Sequence, residues 1–126
     1  MITQYQKYQQ QSVTSLTAGE QLVLLLEKAC VNIAKAINCI EAYDVEGAHN
    51  SIVKAENIYY YLMDNLDMNY SVSSNLFSLY DFITGRLVQA NIKKDADILK
   101  EIQHLAYELR DTWREAEHIS RTGTLQ

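Results

Sequence analysis

The sequence predicts an all-α protein, an antiparallel up-down-up-down four-helix bundle with a short N-terminal arm or helical cap. Two observations carry that prediction. Proline is absent and glycine occurs only four times in 126 residues, so the usual punctuation of hairpins and tight turns is missing. Apolar residues recur instead at alternating spacings of three and four through four segments, the period that places them on one face of a helix. A chain of this length fits one domain around a single core. It divides into an arm over residues 1–16, the bundle over 17–120 and a flexible tail over 121–126.

The arm interleaves Gln4, Gln6, Gln9, Gln10 and Gln11 with Tyr5 and Tyr8, ahead of Val13 and Leu16. Two tyrosines at i, i+3 suit a segment that packs on the bundle as a helical turn; the alternative is simple disorder. The first helix opens at Thr17-x-x-Glu20, the form of a capping box, in which hydroxyl and carboxylate satisfy orphan backbone amides. Its core stripe is Leu22, Leu26, Cys30, Ile33, Ile37 and Ile40. The second helix starts after Asp44 and carries Ala48, Ile52, Ala55, Tyr59, Leu62 and Leu66. A polar break from Asp67 to Ser71 precedes the third, with Val72, Leu76, Leu79, Ile83, Leu87 and Ala90 on its core side. Lys93-Lys94-Asp95 ends that helix and caps the next, whose stripe is Ile98, Ile102, Leu105, Leu109, Trp113 and Ala116 and which fades near Ser120. Connections of a few residues between helices of ~20–25 residues force antiparallel neighbours and a bundle ~30–35 Å long.

Eleven Lys and Arg against sixteen Asp and Glu leave a net charge of −5. That balance lacks the basic footprint of phosphate-backbone binding, so nucleic acid is not an expected partner. Residues 1–11 have neither a basic start nor an apolar run, and the longest aliphatic stretch is only Leu22 to Leu26. Neither a signal peptide nor membrane insertion is expected. Cys30 and Cys39 lie nine residues apart on one helix, ~13.5 Å along its axis and on opposite sides. They cannot pair, and they read as one buried and one surface thiol in a reducing cytoplasm.

A four-helix bundle raises the question of a di-iron site, which needs Glu-x-x-His on two helices and a Glu from each of the others. The spacing occurs at Glu46 to His49 and at Glu115 to His118. By helical phase, however, Glu46 and His118 face solvent, the two motifs fall at opposite ends of the bundle, and the third helix has no Glu. No metal site is expected. His104 is exposed by phase, but its neighbours Leu105, Ala106 and Tyr107 are not the small and basic residues that let a phosphate approach a phosphotransfer histidine. With no nucleophile-base arrangement and no Gly-rich phosphate loop, neither catalysis nor any cofactor is expected.

The surplus lies in apolar surface, since a core-facing helix uses about three positions in seven. Phe77, Thr84, Val88 and Ile92 form an outward seam on the third helix, and Ile58, Tyr60 and Tyr61 flank or oppose the core side of the second. A contiguous seam over adjacent helices marks a partner surface. Its shape suits an amphipathic or extended peptide laid along the bundle.

Five stretches carry a family resemblance. They are Tyr5-Gln6-Lys7-Tyr8 followed by Ser12-Val13, the opening Glu20-Gln21-Leu22-Val23-Leu24-Leu25-Leu26, and Lys54-Ala55-Glu56-Asn57-Ile58 leading to Leu62. The fourth runs from Tyr80-Asp81-Phe82 through Arg86-Leu87-Val88-Gln89-Ala90-Asn91-Ile92-Lys93-Lys94-Asp95, and Thr112-Trp113-Arg114-Glu115-Ala116 is the fifth. In order and spacing they resemble the FliS family of flagellin-specific export chaperones. Gly19 stands where a proline is common in that family, and Leu26-Glu27 where a Leu-Tyr pair is common.

The resemblance implies a cytoplasmic, non-enzymatic chaperone of flagellar type III secretion. Such a protein binds the disordered C-terminal segment of flagellin, prevents premature polymerisation and helps deliver it to the export gate. It further implies a client wrapped around the bundle on a track of Ile58, Tyr61, Leu62, Tyr80, Leu87, Val88, Asn91 and Ile92, with Asn91 satisfying client backbone groups. Leu62, Tyr80 and Leu87 sit beside the core stripes, where plain packing is the other role open to them. Tyr5 and Tyr8 would cover part of the groove until a client displaces them. The apolar periodicity alone suits equally a chaperone or adaptor for another secreted helical protein.

Overall fold

The computed structural model describes residues 16–122, whose regular structure is entirely helical. The elements are α1 (Ala18–Glu41), α2 (Val45–Asp64), α3 (Ser71–Lys93) and α4 (Ala96–Thr122). Tyr5, Tyr8 and the rest of the arm up to residue 15 lie outside the described residues, as does the tail from residue 123; Arg121 and Thr122 continue α4.

Local chemistry sets the boundaries. Both halves of the first capping box are made, Glu20 N–H donating to Thr17 Oγ1 at 3.1 Å and Thr17 N–H to Glu20 Oε1 at 3.3 Å. Asp44 Oδ1 accepts from Gly47 N–H at 2.9 Å to start α2, and Asp95 Oδ1 accepts from Asp97 N–H at 2.9 Å to start α4. The start of α3 has no side-chain cap at Tyr70; the Ser73 hydroxyl donates to the Asp67 carbonyl instead. Lys94, at φ 50°, ends α3 in the left-handed region usually left to glycine. Its ammonium offsets that cost by donating to the carbonyl and the side-chain oxygen of Asn91, at 2.6 and 2.7 Å.

Each helix packs on its neighbour in the chain, and α1 packs on α4 to close a ring. Glu27 pairs with Arg114 at 2.7 Å and Glu41 with Lys100 at 3.5 Å, so residue numbers rise along α1 as they fall along α4. Asn91 with His49 at 3.0 Å, and Tyr80 with Tyr59 at 6.1 Å between ring centroids, give the same relation between α3 and α2. Leu26, Ile33, Ile52, Tyr59, Ile83, Leu87, Leu99 and Ile102 fill the core, with buried Ala29, Ala36, Ala48, Ala55, Ala90 and Ala106 between them. Such small residues let helix backbones approach closely where they meet.

Three residues depart from the predicted stripes. Thr84, expected in the outward seam, is buried and donates its hydroxyl to the Asp81 carbonyl at 2.9 Å. It stands one turn from Tyr80, which α3 turns inward, so the inward face is wider than the stripe through Ile83 suggested. Val72 and Ala116, expected on the core side, are exposed. Both lie near the end of the bundle where the core stops. Cys30 is buried and Cys39 half-buried, and neither is in a disulfide. Burial pushes the Cys30 thiol up, with the nearby Arg110 guanidinium opposing.

Candidate functional site

A bundle core closes only where large side chains from all four helices meet. Toward the end built from the start of α1, the end of α2, the start of α3 and the end of α4, a cavity of about 500 Å³ opens instead. Leu22, Leu25, Leu62, Leu66, Leu76 and Trp113 form its apolar walls, and Gln21, Asn65, Asp67 and Ser73 supply polar groups. Its volume falls within the ~300–1,000 Å³ range of binding clefts. Gln21 Nε2 donates to the Leu16 carbonyl at 3.0 Å, which ties the chain entering α1 to a cavity-lining side chain.

The second apolar feature runs along the outside of α3. Phe77, Val88 and Ile92 are exposed there, and Tyr60 is exposed on α2. Near its far end Asn91 Nδ2 meets His49 Nδ1 at 3.0 Å while Asn91 Oδ1 accepts from Lys94 at 2.7 Å. The Lys94 contact fixes which end of the Asn91 amide faces the histidine ring.

The structure divides the predicted client track in two. Tyr61, Leu62 and Tyr80 come together in the cavity wall. Val88, Asn91 and Ile92 stand further along α3, with Ile92 twelve residues or ~18 Å from Tyr80. Ile58 is half-buried against the core and lines neither feature. Leu87 is fully buried in the core, which leaves it packing as its role in this structure. It shares the inward face of α3 with Tyr80, Ile83 and Thr84. Sequence reasoning missed Leu22, Leu25, Leu66, Leu76 and Trp113 as cavity walls because stripe terminals look the same whether or not a layer closes. The available signal was that Leu22, Leu66, Leu76 and Trp113, one large apolar group from each stripe, fall at the same end.

Electrostatics keep the floor of the cavity neutral. Burial pushes the Tyr80 hydroxyl up to about 12. The Tyr59 hydroxyl behind it is pushed higher still, by burial first and by Cys30 and Tyr80 after. On α2, burial also raises the Glu56 carboxyl against the opposing pull of His49. Among the described residues there is no cluster of three or more His, Cys, Asp or Glu side chains able to hold a metal ion. Glu46, His49, Glu115 and His118 are all exposed.

Among the described residues, a ring of four helices with an apolar cavity at one end and further exposed apolar residues along one flank defines a helical-bundle scaffold. The family model described as flagellar protein FliS matches residues 1–120. The flagellar secretion chaperone FliS of Bacillus subtilis is 38% identical over 113 residues, covering 89% of this chain and 84% of that protein. Its namesake in Salmonella typhimurium is 28% identical over 111 residues, 82% of this chain and 79% of that protein. The flagellar secretion chaperone FliSB of Pseudomonas aeruginosa is 28% identical over 118 residues, 91% and 94% of the two chains. The chain therefore belongs to the FliS family of flagellar secretion chaperones. No helix among the described residues is long and apolar enough to cross a membrane.

Proposed function

We propose that the protein is a cytoplasmic chaperone that holds the disordered C-terminal segment of flagellin, keeps it from polymerising early and assists its delivery to the type III export gate. Family membership supports the chaperone role. The open cavity of about 500 Å³ is the observation that carries the binding mode. Apolar client side chains enter between Leu22, Leu66, Leu76 and Trp113, and each Å² removed from water contributes ~25 cal/mol. Ordering a disordered client costs several kcal/mol, so the cavity must act together with a longer contact, for which the α3 strip is placed.

In this reading Tyr61, Leu62 and Tyr80 receive client side chains, and Ile58 lies beside them. Val88 and Ile92 take the following client segment, and buried Leu87 supports that stretch of α3 from beneath. Asn91 keeps one N–H and one lone pair for the client backbone after serving His49 and Lys94. In the same reading, the arm with Tyr5 and Tyr8, which lies outside the described residues, covers part of the groove until a client displaces it. Binding is passive, with no nucleotide, metal or bond-making step.

The test is calorimetric titration of the full chain with a peptide from the C-terminal region of its own organism's flagellin, against a scrambled control. The expected result is one-to-one binding with a large negative heat-capacity change, absent for the scramble. Absence of binding at tens of micromolar would remove flagellin as the client. Binding of a segment from another secreted helical protein in its place would make that protein the client.

A further inference from the structure

The side of the bundle between α1 and α4 carries a second groove, of about 430 Å³, that shares no lining residue with the cavity. Its apolar surface comes from Cys30, Val31, Ala34 and Tyr107, of which Val31 is exposed. Its charged lining residues are Lys35, Arg110 and Arg114 against Glu27 alone. Asp111 beside it pairs with both Arg110, at 2.9 Å, and Arg114, at 3.8 Å, so on a chain of net charge −5 the groove keeps a positive surplus that rests on Lys35.

Two ion pairs bracket it, Glu27 with Arg114 at 2.7 Å and Glu41 with Lys100 at 3.5 Å. Their α1 partners are fourteen residues apart, which is ~21 Å of helix. Between them the Arg110 guanidinium lies 4.7 Å above the Tyr107 ring, and the Tyr107 hydroxyl is held by Gln103 Nε2 at 2.9 Å. Stacking uses the face of the guanidinium and leaves its in-plane donors for carboxylates, of which Asp111 takes one side at 2.9 Å. Lys35 has no hydrogen-bond or ion-pair partner among the described residues.

We propose that this groove docks an acidic amphipathic helix of a second protein, three to four turns long. Carboxylates one turn apart on that helix pair with Lys35, Arg110 and Arg114, and its short apolar face rests on Val31, Ala34 and Tyr107. Arg114 exchanges Glu27 for the incoming carboxylate. Because the two sites share no residue, the groove accepts its partner while the cavity is occupied.

The probe is a synthetic 16-residue helix with Glu at i, i+4 and Leu at i+3, i+7 on one face, titrated into the isotope-labelled full chain and followed by backbone NMR. The expected amide shifts fall on α1 from Glu27 to Asn38 and on α4 from Gln103 to Arg114. Affinity should drop roughly tenfold between about 50 and 300 mM salt, and by a similar factor in Lys35→Glu. Lys35→Glu breaks no hydrogen bond or ion pair among the described residues, so it reports on docking more than on folding; Arg110→Glu and Arg114→Glu give a second reading wherever the native spectrum persists. A Lys-for-Glu version of the peptide should produce no groove shifts. Shifts confined to the cavity lining, an affinity untouched by Lys35→Glu, or no shifts at millimolar peptide would each overturn the proposal.

Discussion

Leu87 and Ile92 stand five residues apart on α3 and at opposite extremes, 0% and 79% exposed. Leu87→Ala removes packed methyl groups from a closed core and should lower the unfolding free energy by ~2–5 kcal/mol in urea titrations. Ile92→Asp touches no core contact, so circular dichroism and the urea midpoint should stay near those of the parent. Binding of the flagellin peptide should weaken by roughly tenfold or more, as for an apolar anchor replaced by a charge. A stable Ile92→Asp protein with unchanged peptide affinity would remove the α3 strip from the proposed client path.

At the same scale, the Tyr59 hydroxyl is buried without a hydrogen-bond partner among the described residues. Deleting it relieves an uncompensated polar group, so Tyr59→Phe should raise stability by about 1 kcal/mol. The two buried tyrosines also predict alkaline behaviour. Their folded pKa values exceed the ordinary 10, reaching about 12 at Tyr80, so above pH 10 the unfolded chain releases protons that the native one keeps. Their contribution is complete below pH ~10 and is lost as pH rises toward ~12, at up to ~1.4 kcal/mol per pH unit for each tyrosine. Urea midpoints across that interval check the sign, and Tyr59→Phe should make the decline shallower.

Among the elements, the beginning of α2 shows how a local rule can be outvoted. An alanine in a helix normally gains about 1 kcal/mol over glycine. At Gly47 a Cβ would run into the Asp44 carboxylate that caps the helix and come within 2.9 Å of Cys39 Sγ. Gly47→Ala should therefore displace the cap and destabilise by ~0.5–2 kcal/mol, read as a lower melting temperature with unchanged helical content. The four helices and the Thr17, Asp44 and Asp95 boundaries were legible in the sequence because caps and 3.6-residue periodicity are local properties. The fate of Thr84 and Val72 was not, since it depends on which neighbour covers each turn of α3. That helix has no side-chain cap at Tyr70, and its apolar residues spread over two faces, so its inward direction is weakly written.

For the whole molecule, the candidate site was legible only in part. Tyr61, Leu62 and Tyr80 were named from the sequence, yet the cavity that joins them to Leu22, Leu66 and Trp113 is a property of four stripes ending together. Nothing in a single stripe distinguishes a filled final layer from an open one. The second groove was equally hidden, because Lys35, Arg110 and Arg114 belong to helices on opposite sides of the sequence and look like ordinary solvated positions until α1 and α4 are brought side by side.

The distribution of residue size along the bundle has a mechanical consequence. Buried Ala36, Ala48 and Ala90 lie toward the end that carries the α1–α2 and α3–α4 links, while the large side chains around the cavity lie at the other. The molecule is built like a clothes peg, closely packed at one end and with a cavity between its helices at the other. Native-state amide exchange should follow that gradient: Leu25, Leu66 and Leu76 exchange through local openings, whereas Ile33, Ile52 and Leu99 wait for global unfolding. Under the proposed function, an end that parts while the other holds would release a bound client without global unfolding, leaving the same molecule ready to bind again.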